Sequence, residues 1–217
     1  MYLAAAKHPL QWFVSDPDRA GEERSERVAI IHIVVLGGPG DDVLRRPSNR
    51  VRDVRDRSIQ RLIDDMFETM RDAPGVGLAA PQVGTPLRLI VVEQTDPEHP
   101  AFALANPEIV KTSGRRRVTE GCLSIPGYQG ELYRSETVVA KGLDRRGKEV
   151  RIKAPKGSLL AQALEHEIGH VNGNLYIDRL EKREDLYRIR QGSREAGESS
   201  DEGDDSVAAG GSREAVE

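Results

Sequence analysis

The chain has 217 residues and one cysteine, Cys122. A lone cysteine excludes an internal disulfide and points to a reducing compartment. Long apolar runs are missing as well. The most apolar stretch, 28–36, is interrupted by His32 and falls well short of the roughly 20 residues a membrane-spanning helix needs. The first residues carry Lys7 but no apolar core followed by a small-residue cleavage site, so no secretory signal is read there. No internal repeat is visible. These absences predict a cytoplasmic protein with no membrane partner.

Charge is abundant but unevenly placed. Residues 191–217 hold eight acidic side chains against two arginines, with only valine and alanine as apolar residues. Such a segment cannot bury enough surface to fold and is read as disordered. Without it the net charge of −4 becomes roughly +2, so the body of the chain is nearly neutral. Residues 1–27 mix Leu10, Trp12, Phe13 and Val14 with a charged run, and read as an N-terminal extension. The division expected is 1–27 extension, 28–187 folded domain and 188–217 acidic disordered tail.

Between these ends, 28–36 reads as a strand and Gly37-Gly38-Pro39-Gly40 as a loop. Ile59, Leu62, Ile63, Met66, Phe67 and Met70 recur at spacings of three and four, which predicts an amphipathic helix whose apolar stripe is core. Leu87 to Val92 reads as a buried strand. Asp96 to Pro100 reads as a loop, and Phe102 to Val110 as a strand interrupted at Asn106-Pro107. Thr137 to Ala140 and Glu149 to Lys153 read as strands joined by the turn at Asp144 to Lys148.

Chemistry is concentrated at Leu164-Glu165-His166-Glu167-Ile168-Gly169-His170. On a helix, His166 and His170 lie on one face a turn apart, where they can share a metal ion. Glu167 between them is placed to move a proton from water to a leaving group. Ser158 can cap this helix, Leu159, Leu160, Ala163 and Leu164 give it an apolar face, and Gly173 can end it. A catalytic metal needs a third protein ligand. The position six beyond His170, a histidine in one large class of zinc proteases, is Tyr176 here. A distant glutamate would serve another class, and nothing singles one out.

Two further stretches stand apart from their surroundings. Gly75-Val76-Gly77-Leu78-Ala79-Ala80-Pro81-Gln82 is a run of small residues that lets backbone approach another group closely. Glu120-Gly121-Cys122-Leu123-Ser124 sets the only cysteine at the edge of an irregular stretch. In this order, the three stretches resemble the motifs of the peptide deformylases over residues 28–187. The resemblance implies an α+β fold, with β-sheets surrounding a central helix that carries the His-Glu-x-x-His metal motif. It implies removal of the formyl group from the N-terminal formyl-methionine of newly made chains, with release of formate.

Residue by residue, the resemblance implies Cys122, His166 and His170 as metal ligands and Glu167 as general base and acid. Gln82, with the backbone N–H of Leu123, would stabilise the oxyanion. Val76, Val118, Leu159 and Ala163 would line the methionine pocket, and the backbone of Val76 and Gly77 would pair with the substrate as an added strand. One divalent metal per chain is implied, with Fe²⁺ first and Zn²⁺, Ni²⁺ or Co²⁺ as alternatives. The partners implied are N-formyl-methionyl nascent peptides and, transiently, the ribosome. No direct nucleic-acid site is read, since the acidic tail would be repelled by RNA. A monomer is expected.

Two positions depart from the family pattern: Gly169 stands where Asp is usual, and Glu165 where Gln is usual. The missing carboxylate predicts a slower enzyme, and an Arg134 left without a partner. Two competing readings remain at this level. A different metallopeptidase fits His-Glu-x-Gly-His but not Tyr176 or Glu-Gly-Cys-Leu-Ser. A non-catalytic peptide binder fits the acidic tail but not the complete set of ligands, base and oxyanion donor.

Overall fold

The computed structural model describes residues 28–93 and 100–189. The expected N-terminal extension, almost all of the expected tail, and most of the expected loop at Asp96 to Pro100 lie outside the described residues.

Two antiparallel sheets hold the fold. The larger runs β1 (Gly77–Ala79), β2 (Leu89–Val92), β3 (Phe102–Ser113), β6 (Thr137–Leu143) and β7 (Glu149–Ala154) in spatial order. The smaller runs β4 (Arg116–Cys122), β5 (Ile125–Arg134) and β8 (Leu186–Arg188). β2 shows why a continuous apolar run was needed. Ile90 and Val92 face one core, with Leu160, Leu164 and Ile168 of helix α2 (Leu159–Val171). Leu89 and Val91 face the other, with Ile63, Met66 and Met70 of helix α1 (Arg57–Asp72). Successive side chains of a strand point to opposite faces, so a strand covered on both sides has no polar face to show.

α1 spans the residues whose periodicity predicted it, and Asp56 caps it by accepting the Ser58 N–H at 2.8 Å. α2 begins at the Ser158 cap, whose hydroxyl accepts from Ala161 N at 3.1 Å. It gives way to Gly173, held at φ 80°. α2 is flanked by both sheets: its apolar face packs on the larger one, and Gln162 and His166 reach β4 of the smaller. The α+β fold with a central histidine-bearing helix is therefore what the chain adopts.

Two local expectations need correction. Residues 28–36 form no ladder. They run as an extended segment whose N–H groups donate to Asp65 and Thr69 of α1, to the Gln82 carbonyl and to the Ser124 carbonyl. Val28 and Ile30 stay exposed, so the run has no second apolar face to pair against. β3 is not broken at Asn106-Pro107 but bulged, with a register shift between Ala105 and Glu108 and Asn106 at φ 52°. The buried Asn106 amide stabilises this by exchanging hydrogen bonds with Val51 N and O, both 2.9 Å. The stretch around Cys122 is irregular, as expected: the β4–β5 register shifts between Gly121 and Cys122. Cys122 pairs with Ile125 across a two-residue turn that closes the β4–β5 hairpin.

The domain also runs slightly past its expected end. β8 includes Arg188, and Ile189 N donates to the Gly127 carbonyl at 2.8 Å. Among the described residues, no helix is long and apolar enough to cross a membrane.

Candidate metal centre

α2 turns both histidines of its motif toward the β4–β5 hairpin, and the end of β4 brings up Cys122. The Cys122 Sγ lies 3.3 Å from His170 Nε2, and His170 Nε2 lies 3.2 Å from His166 Nε2. The three donor atoms fall within 4.8 Å of one another. Two imidazole nitrogens cannot both present lone pairs at that distance without something positive between them. Burial alone would hold His166 in its neutral form, but Cys122 and Glu120 override it and push its pKa up to about 10. His170 is driven well below its ordinary value by burial and by the charge on His166. The three donors together could hold a metal ion, and one soft and two borderline ligands suit a first-row divalent metal.

The rest of the shell orients these donors. Glu120 accepts from Arg134 through both oxygens at 2.7 Å and meets His166 Nδ1 at 2.8 Å, which turns Nε2 toward Cys122. The side chains of Glu120 and Arg134 are each 2% exposed. Burial would raise the Glu120 carboxyl, but Arg134 and His166 hold it below the usual carboxylate range. Arg134 is therefore not left without a partner, contrary to the expectation drawn from Gly169. That glycine is not forced by packing either, since a Cβ there would meet only the Asn174 carbonyl at 3.7 Å. Glu165 accepts from Ser135 N at 2.8 Å and from its hydroxyl at 3.2 Å, tying α2 to the β5–β6 turn.

Gln82 sits in a 3₁₀ turn, Ala80–Val83, directly after β1. Its Oε1 accepts from Ala79 N at 2.9 Å, which commits the oxygen to its own turn. The Nε2 end is left to face Cys122 Sγ at 3.5 Å and Ser124 Oγ at 3.3 Å. Glu167 is buried with Oε2 unpartnered, and burial pushes its carboxyl up to about 7. A carboxyl with a pKa near neutrality and one free oxygen can both accept and return a proton.

Of these groups, Gln82, Glu120, Cys122, His166 and Glu167 line one cavity of about 50 Å³ between β1, the β4–β5 hairpin and α2. Of the residues expected to meet substrate, Val76, Gly77, Leu159 and Ala163 line it, as does Leu123. Val118 does not. It lies on the same buried face of β4 as Glu120 and Cys122, packed with Cys122, Leu132 and Tyr176. Glu120 and Gln162 line the cavity and were not singled out from the sequence. Both had a signal: Glu120 is two residues from Cys122 on a strand, hence on the same face, and Gln162 is four before His166 on a helix.

Comparison with known proteins agrees with this geometry. Residues 30–185 match the family model described as polypeptide deformylase. A peptide deformylase of Dehalococcoides mccartyi is 58% identical over 162 residues, 75% of this chain and 93% of that one. Among solved structures, a peptide deformylase from Legionella pneumophila superposes with TM-score 0.64 at 46% identity, over 70% of this chain and 86% of that one. One from Synechococcus elongatus, in complex with actinonin, gives TM-score 0.65 at 40% identity over 70% and 82%.

Proposed function

The chain belongs to the polypeptide deformylase family, and from that premise we propose how its buried centre acts. The reaction is hydrolysis of the formyl group from the N-terminal formyl-methionine of newly made proteins. Cys122, His166 and His170 would hold one divalent ion, which when bound supplies the Lewis acidity that makes water nucleophilic at neutral pH. Fe²⁺ is our first assignment, with Zn²⁺, Ni²⁺ and Co²⁺ as alternatives.

Glu167 accepts the proton of the attacking water and delivers it to the departing amine. Its raised pKa, caused by burial, matches a group that must do both. Gln82 Nε2 and the Leu123 N–H donate to the formyl oxygen as negative charge develops there. The Gln82 amide is already held in the required sense by Ala79, so no reorganisation is needed at that moment. The substrate backbone pairs with Val76 and Gly77 on the outer edge of β1, and its methionine side chain enters the cavity beside Leu159 and Ala163. We further propose that residues 28–189 are the catalytic unit, acting in the cytoplasm as a monomer on chains emerging from a transiently contacted ribosome.

The observation that carries this reading is the convergence of Cys122, His166 and His170 on one point, with Glu167 and Gln82 in the same cavity. The test is formate release from formyl-Met-Ala-Ser by protein purified without oxygen, with metal measured on the same sample. Release with about one metal per chain supports it. Cleavage of internal peptide bonds without formate release would replace it with a peptidase reading.

A further inference from the structure

Apart from the groups assigned to the metal centre and its chemistry, the cavity is walled by backbone and apolar side chains, with one exception. Gln162 lines it from α2, one turn before His166 and beside Leu159 and Ala163. The residue is only 7% exposed. Its Nε2 donates to the Thr119 carbonyl at 3.1 Å, which decides the sense of the amide, because the opposite sense would set oxygen against oxygen. A primary amide has two N–H groups and an oxygen with two lone pairs. Thr119 takes one N–H, and among the described residues no acceptor takes the other, which leaves it to whatever enters the cavity.

A purely hydrocarbon wall would have suited an unbranched apolar side chain. An amide in that wall makes different demands. A side chain that fills the cavity displaces the water that would otherwise serve the amide, and a donor left unpaired there weakens binding. A side chain that brings an acceptor avoids the loss. The thioether sulfur of methionine is a weak acceptor, the methylene of norleucine at the same place is none, and the oxygen of methionine sulfoxide is a strong one.

We propose that Gln162 is a specificity-determining residue whose free N–H reads the sulfur of the substrate side chain. The pocket then selects methionine over a hydrocarbon of equal length, and the enzyme's substrates extend to formylated chain ends whose methionine is oxidised to the sulfoxide. This rests on the deformylase reading of the site and adds the chemical class of side chain it admits.

The test compares kcat/KM for formyl-Met-Ala-Ser, formyl-norleucine-Ala-Ser and formyl-methionine sulfoxide-Ala-Ser on the metal-loaded enzyme, Gln162→Met and Gln162→Leu. The unaltered enzyme should favour methionine over norleucine by about threefold, the worth of a weak hydrogen bond. Both variants should bring that ratio near one and lower the relative rate on the sulfoxide by about tenfold, the worth of a neutral hydrogen bond. The change should appear in KM with kcat held, since the contact is made before and during reaction alike. A merely structural role for Gln162 would lower all three substrates together. Norleucine turned over as well as methionine by the unaltered enzyme overturns the proposal without reference to any variant. So does a ratio that neither substitution moves. Formate release from none of the three would instead overturn the deformylase reading, and this inference with it.

Discussion

The carboxyl group of Glu167 rests directly on the α-carbon of Gly77. A Cβ at position 77 would stand 2.6 Å from Oε1 and 2.9 Å from Cδ and Cγ. Gly77 lies in β1 without a positive φ, so it is not a turn glycine. Its lack of a side chain lets a strand edge and the Glu167 carboxyl occupy adjoining space. Gly77→Ala must displace Glu167, and a misplacement approaching 1 Å at a reacting group costs about 10²-fold. We expect formate release to fall by about that factor while metal content is unchanged. Near-normal turnover in the variant would mean that Glu167 tolerates another position.

Glu167→Gln keeps the shape of the side chain and removes its ability to carry a proton. General acid–base catalysis contributes about 10²–10⁴-fold, so turnover should be nearly lost. Metal should stay bound, because Glu167 is not one of the three converging donors. Retention of more than about a tenth of the rate would show that another group moves the proton.

Much of this centre was legible in the sequence because its parts are short-range. The spacing of His166 and His170, the Ser158 cap, and the stripe from Ile59 to Met70 are periodic signals within one helix, and each appears as read. What was not legible depends on pairing between distant segments. Arg116 to Arg134 forms one hairpin whose alternation aims Val118, Glu120 and Cys122 inward together, and only that register brings Glu120 to Arg134 and His166. The apolar run at 28–36 misled in the opposite direction. Hydrophobicity alone does not make a strand when the partners on offer are helix side chains and two isolated carbonyls rather than a neighbouring ladder.

Glu120→Ala tests that register. It strips the carboxylate from His166 Nδ1 and leaves Arg134 buried and uncompensated. Loss of such an orienting partner typically weakens metal binding about 10–100-fold, and breaking a buried pair costs about 3–5 kcal/mol. The sign with pH follows from the depressed Glu120 carboxyl. Its contribution is complete above the unfolded carboxylate pKa of about 4.3 and declines as pH falls below it. Denaturant unfolding across that acid range should show a flatter pH dependence in Glu120→Ala. An equally steep profile would assign acid sensitivity to other groups.

The three converging donors, Glu167 and Gln82 all lie within the described residues, and β8 joins the smaller sheet before the acidic segment begins. Removing residues 191–217 should therefore leave kcat/KM on short formyl peptides within about twofold, as expected when no group near the reacting atoms is touched. A large loss would make the segment part of the enzyme.

Tyr176 stacks on His166 with ring centroids 6.2 Å apart and planes at 20°, so its ring is a wall for one of the three converging donors. Its hydroxyl is a different matter. The residue is 2% exposed and the hydroxyl has no hydrogen-bond partner among the described residues. A buried polar group without a partner carries a desolvation cost of about 1–3 kcal/mol. Tyr176→Phe keeps the stacked ring and removes that cost. It should unfold at the same or a higher denaturant concentration, with metal content and kcat/KM unchanged. A loss of more than about 1 kcal/mol in the phenylalanine variant would show that the hydroxyl is served by a bound water. Its cost would then already be offset in the folded protein, and the ring alone would not account for a tyrosine at this position.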